Sequence, residues 1–212
     1  PFILSRDLLL VSRFNEKHKN TAFKIQTQLL PEPFVGNPET AQIILLSLNP
    51  GYSEQDDDFH KNDQNFRRII LKNLNHTSKK YPFFPFNPSL QNSPVAKYWK
   101  RRLGELIKHS NEKTLSDKIC CIEYFPYHSQ RYHHLKIDPI SQIYNKELVE
   151  NCIGRNTLII IMRAKKRWLN LVPKLKNYDN CFYVHSFANP AITKNNLDGG
   201  VFEKIFKRLI KK

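Results

Sequence analysis

The chain is poor in glycine, with six in 212 residues, and it holds a single methionine, Met162. No Gly-x-Gly-x-x-Gly, Walker-type Gly-Lys-Ser/Thr or Gly-x-Ser-x-Gly pattern is present, which argues against dinucleotide, P-loop and hydrolase-elbow chemistry. Apolar runs are short: residues 43–46 and 158–162 fall far below the roughly 18 residues of a membrane-spanning helix, so no membrane span is expected. No charged-then-apolar signal precedes Ser5, and secretion is not expected either. Cysteine is limited to Cys120, Cys121, Cys152 and Cys181, with no Cys-x-x-Cys pair. These read as buried thiols in a reducing, cytoplasmic compartment. His128, His133 and His134 lack the i, i+4 spacing that zinc enzymes favour on a helix, so no metal, metal cluster or cofactor is expected.

Acidic residues are also scarce, 19 against 34 Lys plus Arg, which leaves a formal charge of +15. Such a field draws polyanions, nucleic acid above all, although a solvated surface rich in Lys is the plainer alternative. Basic clusters stand at 97–102 (KYWKRR), 163–168 (RAKKRW) and 204–212 (KIFKRLIKK), and two of them carry aromatics among the cations, a composition suited to phosphate contacts beside base stacking. The third reads more simply as an amphipathic helix with Ile205, Phe206, Leu209 and Ile210 on one face. With 40% hydrophobic and 12% aromatic residues there is enough apolar surface for a core, and the length suits one domain, 1–212, taken to be a monomer.

Residues 1–41 are predicted to be a largely helical N-terminal segment, broken near NEKHKN and ending at Pro31-Glu-Pro33. In 42–212, four short apolar runs read as strands buried on both faces: 42–48 (QIILLSL), 118–125 (KICCIEYF), 157–162 (TLIIIM) and 181–185 (CFYVH). Helical spacing falls between them, at 65–74, 97–110, 146–152 and 164–171, and a last helix closes the chain. The expectation is α/β, a three-layer α/β/α sandwich on a central four-stranded parallel sheet, with ligands gathered beyond the carboxyl ends of the strands. Asn49-Pro50-Gly51 closes the first strand and Asn189-Pro190-Ala191 follows the last. Either alone is an ordinary turn; two at the ends of parallel strands form the sharpest signal in the chain.

On these two motifs, SLNPGYS after Leu46 and ANPAITKNNL at 188–197, and on the order of the strands, the sequence resembles the uracil-DNA glycosylase superfamily, as a divergent member of the Asn-Pro-Gly type. The resemblance implies a uracil-DNA glycosylase-like fold and a DNA repair hydrolase that flips a base and breaks its N-glycosidic bond with water. It implies that Asn49 holds the water, that Pro50 and Gly51, followed by Tyr52, let the backbone approach the sugar, and that Asn189 turns toward the leaving base. Pro190, Ala191 and Ile192 would then lie near the gap in the duplex. Glu123 stands where uracil-specific members have an Asn that reads the base, and a carboxylate suits an exocyclic amine better than a uracil carbonyl.

Around these motifs, His128 is a candidate for stabilising an anionic leaving group, and Tyr127 leaves the same strand. Phe84 and Phe86 of YPFFPF are candidate stacking rings, or else a core plug. Arg163, Lys165, Lys166, Arg167, His185 and Lys194 are candidate DNA contacts, or else a solvated face. Glu54, Asp56, Asp57 and Asp58 form an acidic loop that is able to supply a carboxylate. The expected partner is DNA, single- or double-stranded; the alternative is an inactive nucleic-acid-binding protein or sensor of modified bases on the same fold.

Overall fold

The structure is a computed structural model, and it describes residues 1–135 and 137–210. The last two residues of the basic cluster 204–212, Lys211 and Lys212, lie outside the described residues. After helix α1 (Leu8–His18), a two-residue strand β1 (Phe34–Val35) leads to β2 (Ile43–Ser47), whose five residues are all buried. Helices α2 (Glu54–Asn62), α3 (Gln64–Leu74), α4 (Pro94–Arg102), α5 (Gly104–His109) and α6 (Glu112–Lys118) precede β3 (Ile119–Glu123). Then come α7 (Ser141–Gly154), β4 (Leu158–Ile161), α8 (Lys165–Leu171), β5 (Cys181–Tyr183) and α9 (Val201–Ile210).

The strands form one sheet in the order β1-β3-β2-β4-β5. β3, β2, β4 and β5 are parallel, with Ser47 level with Glu123, while β1 pairs antiparallel with β3. The expected four-stranded parallel sheet is therefore present, extended by a short antiparallel edge that the sequence reading missed. Gly36 allows that edge: its φ is +105°, and a Cβ there would stand 2.7 Å from the Ile119 carbonyl oxygen. Asn73 of α3 braces the same edge, donating to Phe34 O and accepting from Gly36 N–H at 2.9 Å each.

Helices cover both faces. Phe66 and Ile70 of α3, Trp99 of α4, Leu106, Leu115 and Ile205 pack on the side of Ile43, Leu45 and Cys121. Val11 of α1, Val149 of α7 and Trp168 of α8 pack on the side of Ile44, Leu46 and Cys120. The alternation of side chains along each strand thus feeds two apolar layers, and aliphatic runs such as Leu158–Ile161 suit a strand covered on both sides.

Two helical expectations are corrected. The N-terminal segment is helical only over Leu8–His18; beyond it, Asn15 clamps the backbone of Ile25 from both sides, at 2.8 Å each, and holds it out of helix. The acidic stretch is no loop but helix α2, started by a reciprocal capping box in which Asp56 accepts from the Ser53 N–H and hydroxyl.

Candidate functional site

At the carboxyl end of the central strand, β2 runs into 48–53, a short turn held from several sides. Phe125 N–H donates to Leu48 O at 2.9 Å, Trp168 Nε1 to Ser47 O at 2.7 Å, and His128 Nδ1 lies 2.8 Å from Gly51 O. Asn49 sits in this turn half-buried. Its Nδ2 donates to Pro50 O at 2.9 Å and to Ser129 Oγ at 3.0 Å. A carbonyl oxygen accepts only, so the NH2 must face Pro50, and Oδ1 is left without a protein donor among the described residues.

The last strand reaches the other motif at the same end of the sheet. Arg102, buried at the end of α4, donates through Nη1 to Asn189 Oδ1. The turn is tied down by Asn196, whose Nδ2 donates to Asn189 O at 3.2 Å and Ala191 O at 2.8 Å. Here the guanidinium fixes the amide oxygen, so the exposed Asn189 has its Nδ2 without a protein acceptor among the described residues.

Glu123 closes β3 and is 5% exposed. Its Oε2 has no hydrogen-bond partner among the described residues, and neither does Arg102 Nε. Burial raises the Glu123 carboxyl to about 7, against hydrogen bonds from the Ser47 hydroxyl and Cys121 thiol and the charge of Arg163. Burial, and next the Glu123 charge, also raises Tyr98, which lies 5.1 Å under the Arg102 guanidinium. Arg163 donates to Ala188 O at 3.3 Å, so it joins the Glu123 environment to the Asn189 turn. Ala164 at φ 57° bends β4 sharply into α8 and leaves Arg163 at the strand end.

Several expected contacts are corrected by burial. Phe84 and Phe86 are enclosed in the core beside Phe83 and Trp99 and offer no open stacking face. Ile192 is fully buried, with its N–H on Arg102 O at 2.9 Å; it does not reach out to a gap in a duplex but is the packing that fixes the turn to α4. Tyr127 points away from the site, its hydroxyl donating to Asp7 at 2.8 Å. His128 is buried and braces the Gly51 turn; it is not free to meet a leaving group. Pro190 is buried and Ala191 half-buried, while Tyr52 donates its hydroxyl to Asp57 at 3.0 Å.

The cations divide. Lys166 is exposed, Lys165 lies 3.5 Å over the Tyr183 ring, and Arg167 lies over Tyr132 with Nη1 3.1 Å from His134. His185 meets Asp198 at 3.0 Å, and Lys194 pairs with Glu203 at 3.4 Å. Two cavities, of about 530 Å³ beside Tyr124, Gln142 and Arg167 and about 370 Å³ beside Arg68, Lys80 and Tyr81, include neither Asn49 nor Asn189.

Sequence reasoning passed over Ser47, Tyr98, Arg102 and Ser129 as site residues, and it read Arg102 as part of a surface cluster. It also passed over Glu32 and His60, which meet His128 behind the Asn49 turn. All three are buried, and a donor atom of each lies within 4.8 Å of the others, so they could hold a metal ion. His128 Nε2 is 3.6 Å from Glu32 Oε1 and 3.1 Å from Leu30 O, and His60 Nδ1 accepts from Leu30 N–H at 3.2 Å. Burial, with the charges of Asp56 and Glu123, raises Glu32 to about 8; burial, with the charges of His128 and Arg67, lowers His60 to about 3. No family model, curated protein or solved structure matches the chain.

Proposed function

We propose that the protein is a DNA N-glycosylase of the uracil-DNA glycosylase type, which flips a uracil-like, deaminated or modified base from DNA and excises it. The observation that carries this reading is the opposite polarity of the two amides at the same end of the sheet. Asn49 offers an acceptor that suits a water hydrogen, and so aims the water oxygen at the sugar carbon. Asn189 offers a donor that suits the base leaving with the electron pair of the broken bond. An amide does not titrate, so the chemistry rests on positioning and on stabilising charge in an oxocarbenium-like transition state. The charge of +15 supports a polyanionic substrate, and the base has to leave the stack before it reaches such a site. Glu123, with one oxygen unpartnered, supports a base that carries a donor group.

The test is incubation with single- and double-stranded oligonucleotides carrying uracil, hypoxanthine or modified cytosine, followed by alkali. Strand scission at one of these bases is the expected result, and intact strands throughout would overturn the reading. The second reading, a sensor without catalysis, is favoured by one observation: in the acidic segment Asp56 is engaged in its capping box, and Asp57 by Tyr52, Gln28 and Lys61. Salt-dependent binding without product would select it.

A further inference from the structure

We propose that Glu32, His60 and His128 form a binding site for a divalent cation of the zinc type, which clasps the Asn49 turn from behind. Three separate segments supply the ligands: the strap before β1, helix α2 and the loop after β3. Two imidazoles and one carboxylate are a donor set that suits zinc and its neighbours in the first transition row. The three residues are 5%, 1% and 4% exposed, and the imidazole rings stand 5.2 Å apart at 79°, edge to face.

The hydrogen bonds assign the free donors. His60 Nδ1 is occupied by the Leu30 N–H, which leaves Nε2 for a metal. Gly51 O accepts only, so His128 must donate to it from Nδ1, the bond that commonly orients a metal-binding imidazole. His128 Nε2 is then turned toward two oxygens, Leu30 O at 3.1 Å and Glu32 Oε1 at 3.6 Å. Leu30 O accepts only, so this side of the ring carries a proton in the metal-free chain, and a metal ion binding at Nε2 would displace it. Tetrahedral bonds of roughly 2.1 Å put ligand atoms about 3.4 Å apart. Separations of at most 4.8 Å therefore have to shorten by up to about 1.4 Å for the three atoms to meet on one ion. Because the same His128 holds Gly51 and its neighbour Ser129 holds Asn49, the ion would fix the turn that presents Asn49 Oδ1.

The test uses the full chain, treated with chelator and titrated with zinc alone in competition with a chromophoric chelator. One zinc per chain is expected, with a melting temperature that rises with zinc concentration. Cobalt in its place should give the strong visible absorption of a four-coordinate ion. Glu32→Gln should weaken zinc at least tenfold and His60→Phe should remove it, whereas His133→Ala, at an exposed histidine beside His18, should change nothing. Failure of the wild-type chain to take up zinc would overturn the proposal whether or not the variants fold. So would uptake that vanishes in His133→Ala and survives in Glu32→Gln, and in that case a proton occupies the place between His128 and Glu32.

Discussion

The two Asn-Pro turns are alike in sequence and opposite in construction. Asn49 is gripped by its NH2 group, on Pro50 O and Ser129 Oγ, and shows its oxygen. Asn189 is gripped by its oxygen, on Arg102, and shows its NH2. The same side chain thus becomes an acceptor at one strand end and a donor at another, because a fixed partner of one hydrogen-bonding sense decides which half of the amide is left over. Glu123 links the two turns. Ser47, at the root of the first turn, lies level with it across the sheet, and Arg163, which holds Ala188 in the second, lies within reach of its charge.

The contrast breaks most completely at Asn49. On the proposed glycosylase reading, Asn49→Ala should lower excision by about 10²- to 10³-fold, the cost of removing one preorganised polar group from a reacting centre, while oligonucleotide binding persists in a gel-shift titration. Equal loss of binding and cleavage would make Asn49 a scaffold residue.

Glu123→Gln tests the link between the turns through stability. The folded-state carboxyl titrates at about 7 against 4.5 in the unfolded chain, so its contribution is fully present below pH 4.5 and is lost as pH rises through 7. Urea unfolding should therefore show the wild type losing on the order of 3 kcal/mol from this group between pH 4.5 and 8. In the Gln variant the slope should change by that amount while the parts due to buried Glu32 and His60 stay, and an unchanged slope would show that Glu123 is not the group responsible.

Arg102→Lys keeps the charge and removes the forked donor that orients Asn189. A charge-assisted hydrogen bond is worth about 1.5–3 kcal/mol, so kcat should fall roughly 10- to 100-fold with little change in KM. Unaltered kcat would mean that the Asn189 amide does not need its oxygen held. The smallest effect is expected at Ser129→Ala, which takes one of two acceptors from Asn49: about 1 kcal/mol of stability in a urea melt and a several-fold loss of excision.

Much of the fold was legible because the signals are local. The runs IILLS, ICCIE and LIII are too apolar and too short for anything but buried strands, and their separation by helical spacing implied a parallel sheet covered on both faces. The Asn-Pro turns were legible for the same reason, since strand ends and proline are both visible in a line of residues. The edge strand was not, because two residues, Phe34 and Val35, carry no periodicity and gain their partners only from β3. Helix α2 was misread because its acidic residues look like a solvated loop until the Ser53–Asp56 capping box is seen.

The site residues divide along the same line. Phe84, Phe86, Tyr127 and Ile192 have the chemistry of ligand contacts, but core packing or a hydrogen bond to Asp7 claims each of them. Arg102 sits in a run, KYWKRR, that reads as surface charge, yet the helix turns it inward to Tyr98 and Asn189. Glu32, His60 and His128 are 28 and 68 residues apart in sequence, and no spacing rule joins them. By itself the sequence determined the charge, the four parallel strands and the two turns at their ends. Which way each amide points, which cations are buried and which histidines meet were decided only by the tertiary structure, because hydrogen-bond polarity and burial depend on partners far away along the chain.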